Sequence, residues 1–382
     1  MPDVVPAPRP GTANVQMSKH VLRTDELDYQ LPQELIATRP VEPRDSARML
    51  VMSRYDNTIE HRHVRDLPRY LRSDDAMVFN TTAVMRAGLL GQRVGTGGRV
   101  EGLFLDEPEP GRWLVMLRSN GRLRRGQQIE LLDPQGRPQG HRLELLDRQA
   151  SGWVARVLGP GSAASVLDRV GHTPLPPYIR RVRGDQLVAD ALDRQWYQTV
   201  YADAQQRGSV AAPTAGLHFT PDLLARLEKS GVRRIDVMLH IGLGTFQPIT
   251  SRRIDQHVMH AEHYAVSPEA IAALRELRKG RRGRIFAIGS TVVRTLESLP
   301  EPLPQTAASD GPFSGQTDLL IAPPYQFKHV DGMLTNFHLP RSTLLALVAA
   351  MIGLDRLKAV YHEAIEHRYR FYSYGDAMLI LP

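Results

Sequence analysis

Between residues 84 and 160 the chain breaks into five short apolar runs: GGRVEGLFL, RWLVMLR, QQIELLD, HRLELLD and WVARVL. Turn-forming stretches such as DEPEPG, SNGRLRRG and PQGRPQG part them. Runs this brief are too short for helices that bury a face, and the Gly, Pro and Asn between them turn the chain back after each one. Such a segment can bury its apolar side chains only by closing on itself, as a small antiparallel barrel or sandwich. The flanking text obeys another rule. After GHTPLPPYIRR (171–181), a proline-stiffened linker, strand patterns RIDVMLHI (234–241), GRIFAIG (283–289), TDLLIAP (317–323) and AMLIL (377–381) alternate with helix patterns. The helices are PDLLARLEKS, PEAIAALRELRK, VVRTLESL, STLLALVAAMIG and LDRLKAVYHEAIEHRYR. Before residue 84, DELDYQLPQELIA reads as a short capped helix, ARMLVMSR as an edge strand and DAMVFN as a strand.

The expected fold is therefore α/β, a mixed sheet covered by helices, with an inserted small antiparallel β-barrel domain. Residues 24–83 and 165–382 form the α/β domain, 84–164 the inserted barrel, and 1–23, rich in Pro and small residues, a disordered extension. There is no cysteine among the 382 residues. That excludes disulfides, thiolate metal sites and a cysteine nucleophile, and suits a cytoplasmic location. The first twenty residues lack the apolar core of a secretory signal. The longest apolar run, LLALVAAMIGL (344–354), is too short to span a bilayer, so it reads as a buried helix and no membrane contact is expected. A net charge of +7 favours a polyanionic partner. The basic runs RLRRG (122–126), RRVRG (180–184) and RELRKGRRGR (275–284) offer Arg124, Arg125, Arg180, Arg181, Arg281 and Arg282 for phosphate contacts, although solvated element ends look the same.

Polar chemistry gathers at four loop-to-helix or strand-to-loop junctions. In VAAPTAGLHFTPDLL, Thr220 caps a helix with Pro221 at its first position. Thr214, Gly216 and His218 precede it, and His218 reads either as a structural histidine or as a ligand group. RIDVMLHI puts His240 opposite its apolar face and runs into Gly242, Gly244, Thr245 and Phe246. RIFAIGSTVVRTLES is a strand, then Gly289, Ser290 and Thr291, then a helix bearing Arg294. TNFHLPRSTLL places Asn336 and His338 before a helix capped by Ser342. Ligands of open α/β sheets bind at such carboxyl edges. No Walker lysine and no third dinucleotide glycine is present. The histidines of HVMHAEHY and HEAIEH lack the two-on-one-face spacing of a zincin, so no metal is expected.

In this order, VAAPTAGLHFT, LHIGLGTFQPI, MHAEHY, TNFHLPRSTLL and YRFYSYGDAMLI resemble the S-adenosylmethionine:tRNA ribosyltransferase-isomerases. LPQELIATRPVEPRDSARMLV, which contains Arg44 and Asp45, GHTPLPPYIRR and YQTVYA extend the resemblance over residues 27–382. The resemblance implies an α/β domain with an inserted β-barrel and a place in queuosine biosynthesis. The implied reaction transfers and isomerises the ribosyl part of S-adenosylmethionine onto 7-aminomethyl-7-deazaguanine at a tRNA wobble position. Epoxyqueuosine forms, adenine and methionine leave, and S-adenosylmethionine is a consumed substrate, with no cofactor. A monomer is expected.

That chemistry needs a base of near-neutral pKa for the acidified C5′ and a proton donor for adenine. His218, His240, His260 and His338 are the candidates, with Glu262 as an alternative. Thr214, Thr245, Ser290 and Thr291 suit ribose hydroxyls or the methionine carboxylate, Arg294 that carboxylate, and Phe246 a base. Gly216, Gly242, Gly244, Gly289, Asn336, Ser342, Arg44 and Asp45 complete the substrate set. One stretch departs from the family: Asn80-Thr81-Thr82-Ala83 stands where Asn-Asp-Thr-Arg/Lys is usual, with Arg86 displaced and Gly88 where a further Arg belongs. Pro323-Pro324 and Gln326 also differ. The departure motivates one rival to the enzyme, a tRNA-binding relative with lost or altered catalysis; the histidines alone suggest another, a metal-dependent hydrolase.

Overall fold

The computed structural model describes residues 21–183, 190–242, 249–280, 283–305 and 309–382. Two 3₁₀ turns, Thr24–Leu27 and Gln33–Leu35, replace the single helix expected near the start, because Pro32 between them has no N–H to continue a helix. β1 (Arg48–Ser53) and β2 (Ile59–His63) form a hairpin, and β3 (Ala76–Asn80) follows. β4 (Ala83–Val84) leads into β5 (Gly88–Arg93), β6 (Arg99–Glu109), β7 (Arg112–Ser119), β8 (Gln128–Leu132), β9 (Pro138–Gln149) and β10 (Gly152–Leu158). These last six form a closed barrel in the order β10-β7-β6-β5-β8-β9. Five runs were expected there. The sixth strand, GLLGQR, carries too few apolar residues to stand out.

α1 (Ala163–Val170) plugs the barrel's apolar interior with Val166, Leu167 and Val170, against Trp113, Leu143 and Leu145 among others. The proline-rich linker ends in α2 (Pro177–Arg183), and His172 within it bridges to Gly88. Then come α3 (Asp190–Trp196), β11 (Arg207–Ser209), α4 (Pro221–Lys229), β12 (Arg233–Leu239), β13 (Glu262–Val266) and α5 (Pro268–Gly280). The chain closes with β14 (Ile285–Ile288), α6 (Ser290–Glu297), β15 (Phe313–Thr317), β16 (Gly332–Asn336), α7 (Thr343–Ile352), α8 (Leu354–Glu366) and β17 (Ala377–Leu381).

Nine of these strands make one mixed sheet, β15-β13-β12-β3-β14-β16-β17-β1-β2. β12, β3, β14 and β16 are parallel neighbours, so their carboxyl ends share one edge. Strand alternation sorts the sheet's side chains into two cores. Leu50, Met52, Val78, Ile235 and Ile285 face α5–α8, whereas Met49, Val51, Phe79, Phe286 and Leu334 face α4. β1 is consequently an interior strand; the edge is β2, whose IEHRH is half exposed. The strand expected at 317–323 lies upstream, in β15. Among the described residues no helix is long and apolar enough to cross a membrane, and the apolar run at 344–354 is α7 and the start of α8, with Leu345–Ala349 buried in the core.

Away from the carboxyl edge, Asp75 ties three strands together. Its fully buried carboxylate accepts from the backbone N–H of Arg72 (2.8 Å) and Arg284 (2.9 Å) and from the Arg284 guanidinium, and its carbonyl accepts from Arg233 N–H. Burial alone would raise its pKa, but the Arg284 side chain and the backbone donors outweigh that and hold it below the usual value. A folded-state pKa below the unfolded one adds stability that is present above the unfolded value and is lost as pH falls through the folded one. Asp75→Asn should therefore cost about 3 kcal/mol at pH 7 and flatten the acid side of the stability profile. Urea-unfolding midpoints measured from pH 7 down to pH 3 test this.

Candidate functional site

Where the parallel strands end, side chains take over from sheet hydrogen bonds. Asn80, buried at the end of β3, donates to the Leu239 carbonyl (2.9 Å) and accepts from Leu239 N–H (3.1 Å) and Thr82 N–H (3.2 Å). Its amide also reaches Thr291 Oγ1 at 3.5 Å. One residue thus joins the ends of β3 and β12 and the start of α6. Gly289 precedes α6 at φ 90°, a conformation that favours glycine, and brings Ser290 and Thr291 to the same edge.

Behind this edge a recess of about 60 Å³ is lined by Thr214, Ser290, Thr291, Asn336, His338 and Tyr372, among others. The Asn336 amide donates to the Tyr372 carbonyl (3.0 Å), which fixes which end is nitrogen, and the same Nδ2 lies 3.2 Å from His218 Nε2. His218 must therefore accept at Nε2 and carry its proton on Nδ1. His338 Nε2 pairs with Thr335 Oγ1 at 2.8 Å. Burial pushes both imidazoles down to about 3, with the Arg370 and Arg44 charges adding to the effect at His218. Both are neutral at physiological pH, and neither meets the near-neutral pKa asked of a base.

In front of the edge opens a cleft of about 1370 Å³, walled on one side by barrel residues such as Leu105, Met116 and Trp153 and on the other by His240, Gly242, His260, Glu262 and His263. Glu262 is buried; its carboxylate accepts from Gly242 N–H (2.9 Å) and from the Arg294 guanidinium. Arg294 also donates to the Leu319 and Thr317 carbonyls, at 3.1 Å each. Each of its three guanidinium nitrogens donates to a protein acceptor, and its charge is paired with Glu262, so Arg294 supports that carboxylate. His260 is exposed on the cleft wall.

Several other expected site residues have structural duties. Ser342 caps α7, accepting from Leu345 N–H and donating to the Leu339 carbonyl. Gly216 makes room for Tyr201, because a Cβ there would lie 1.9 Å from the tyrosine hydroxyl, so no ligand approaches it. Arg44 donates to the Gln198 carbonyl at 2.7 Å, and Asp45 accepts from Thr220 and faces Arg226. Arg124 and Arg125 are exposed on the β7–β8 turn and do not line the cleft; Arg180 pairs with Glu101 of β6, and Arg181 is exposed. Gly244, Thr245, Phe246, Arg281 and Arg282 lie outside the described residues.

The cations that do line the cleft are Arg86, Arg148, Arg194 and Arg207. Arg86 and Arg207 face the shared Asp168 at 3.9 and 3.8 Å. Burial and the charge of Arg194 lower the Arg86 pKa, with Asp168 only partly offsetting them. Single arginines from distant segments carry no run to betray them; only Arg86 drew notice, as a departure from the family pattern. At that departure, Ala83 is buried in β4 and Thr81 bonds Gln206 Oε1 at 3.2 Å. Away from the cleft, His61 Nε2 and His367 Nδ1 each lie 3.1 Å from Glu363 Oε1. Their rings stack at 4.4 Å and 24°, so the in-plane lone pairs run side by side instead of converging on a metal. His61 Nδ1 already meets the Tyr369 hydroxyl at 2.8 Å. This group clamps β2 to α8.

Residues 24–380 match the family model described as "Queuosine biosynthesis protein". A relative named S-adenosylmethionine:tRNA ribosyltransferase-isomerase from Symbiobacterium thermophilum is 47% identical over 363 residues, and one of the same name from Moorella thermoacetica is 44% identical over 372. Each match spans 94% of this chain and all of the relative. The crystal structure of S-adenosylmethionine tRNA ribosyltransferase from Thermotoga maritima superposes with a TM-score of 0.51 at 34% identity, over 93% of this chain and all of that one. The chain belongs to the queuosine biosynthesis protein family.

The Glu262–Arg294 pair yields a test independent of any substrate. Both side chains are buried, so removing one charge strands the other. Glu262→Gln should cost about 3 kcal/mol, and adding Arg294→Met should recover much of it. Chemical denaturation of the two single variants and the double variant measures the coupling.

Proposed function

We propose that this member of the queuosine biosynthesis family transfers and isomerises the ribosyl moiety of S-adenosylmethionine onto 7-aminomethyl-7-deazaguanine at the wobble position of tRNA, with loss of adenine and methionine. The observation that supports it is a cleft of about 1370 Å³ where β12 ends, walled by His240, Gly242, His260 and Glu262, with the other three polar junctions gathered in the recess behind it. Small-molecule sites hold roughly 300–1,000 Å³, so this one has room for a nucleoside and part of a macromolecule together. S-adenosylmethionine lies across the His240–Gly242 shelf as a consumed substrate, and no metal or other cofactor takes part. The polar recess bounded by Thr214, Ser290, Thr291 and Asn336 backs it. Residues 84–164 work as an inserted barrel domain that forms the far wall. The protein acts as a monomer in the cytoplasm.

The roles follow from burial. His218 and His338, neutral and hydrogen-bonded behind the edge, orient and donate. His260 stands exposed on the cleft wall without a hydrogen bond among the described residues, and it takes the C5′ proton. Glu262 and Arg294 hold Gly242 in place. Arg86, Arg194 and Arg207 meet the phosphates flanking the wobble nucleotide, and Arg124, Arg125, Arg180 and Arg181 are left for more distant tRNA contacts.

Incubation with S-adenosylmethionine and tRNA carrying the 7-aminomethyl base should release adenine, and mass analysis of the wobble nucleoside should show epoxyqueuosine. Tight tRNA binding with no adenine release would favour the non-catalytic alternative motivated by the Thr81 and Ala83 departures. His260→Ala should slow adenine release by about 10²–10⁴-fold with tRNA affinity kept within a few-fold. Arg207→Ala should weaken tRNA binding and reduce the slope of log affinity against log salt by about 1.

A further inference from the structure

The side chains behind His240 decide which of its ring nitrogens carries the proton. Ile241 N–H donates to Ser209 Oγ at 2.8 Å. Ser209 Oγ lies 2.8 Å from Thr82 Oγ1, and Thr82 Oγ1 lies 2.9 Å from His240 Nδ1. Ser209 and Thr82 are both fully buried, so each hydroxyl proton needs an acceptor. Ser209 Oγ already accepts from Ile241, and the acceptor within its reach among the described residues is Thr82. Its proton goes there. The Thr82 proton then has two destinations: His240 Nδ1 at 2.9 Å or the Gln206 carbonyl at 3.4 Å. The second lies beyond the usual range for a hydroxyl donor, so the proton points at Nδ1. A neutral imidazole that accepts at Nδ1 carries its hydrogen on Nε2.

Two further observations agree. The ring lies flat on the bare backbone of Gly208, where a Cβ would come within 2.5–2.6 Å of Cε1, Nδ1 and Nε2; any side chain there would push the imidazole off its seat. Burial, and then the charge of His263, lower the His240 pKa and keep the ring neutral.

We propose that Ser209 and Thr82 are positioning residues that lock His240 as the Nε2–H tautomer, so that it presents a hydrogen-bond donor to the cleft and does not serve as the base. The matching group is an acceptor atom of a nucleoside, a purine ring nitrogen or a ribose oxygen; only that identity rests on the substrate reading above. Two-bond ¹H–¹⁵N spectra of ¹⁵N-histidine-labelled full-length protein, with His240→Gln for assignment, read the tautomer without substrate. The expected result is a protonated Nε2 and a bare Nδ1; a proton on Nδ1 would overturn the proposal. Thr82→Val keeps the shape and removes the relay. It should mix the tautomers and lower kcat for adenine release on the order of 10²-fold while KM stays put, and Thr82→Ser should restore both. Unchanged ring shifts in Thr82→Val would count against the relay just as firmly. A wild-type protein with the proton on Nε2 but no adenine release would sink the substrate reading and leave the relay standing.

Discussion

The candidate site hangs from the amide of Asn80. A parallel sheet runs out of backbone pairing at its carboxyl edge, and buried N–H and C=O groups there need other partners. Asn80 supplies them in both directions, matching the Leu239 N–H and C=O and still reaching Thr82 and Thr291. The end of β12 is thereby fixed, and His240 and Gly242 with it. Glu262 then holds Gly242 from the neighbouring strand, and Arg294 holds Glu262. Each link buries a polar group that is costly to leave unmatched, so the edge is rigid before any ligand arrives.

Rigidity here also sets charge. A site meant for a cationic nucleoside is poorly served by additional positive groups in a low-dielectric wall. The buried histidines are held neutral by desolvation, and their orientation comes from acceptors and donors that are themselves fixed: the Tyr372 carbonyl through Asn336, and Thr335 for His338. Arg294 is buried at the edge but paired with Glu262, and the cations that line the cleft stand on its wall, where Arg86 and Arg207 share Asp168. The arrangement separates a neutral chemical floor from a basic rim suited to phosphate.

Much of this was legible in the sequence, and what was not has physical causes. The alternation of RIDVMLHI put His240 on the right strand, and Thr220 with Pro221 fixed the start of α4. All four polar junctions were visible as motifs. Strands β2 and β16 were not: IEHRH has an edge strand's polar composition, and GMLTN is five residues with a glycine and an asparagine, too short for periodicity to speak. In HVMHAEHY Glu262 stood out as an alternative base, but its place as the buried first residue of β13, holding Gly242, was not legible in so short a strand. Arg124, Arg125, Arg180 and Arg181 of the basic runs lie outside the cleft lining, while the cleft's arginines are neighbours only in three dimensions. The hydroxyl relay behind His240 joins three segments and has no linear trace.

The order of strands across the sheet has a consequence for how the chain reaches this state. β1 and β2 join the rest of the sheet solely through β17, and the hydrogen bond from Arg48 N–H to Asp376 spans 328 residues. Closing so long a loop is entropically unfavourable until both ends are present, and such distant pairings form slowly. The barrel, by contrast, pairs strands that all lie between Gly88 and Leu158. During synthesis it is free to fold while the first hairpin waits unpartnered, with Met49, Val51 and their neighbours exposed until the last strand leaves the ribosome. The β1–β2 hairpin is thus among the last parts of the sheet to be paired.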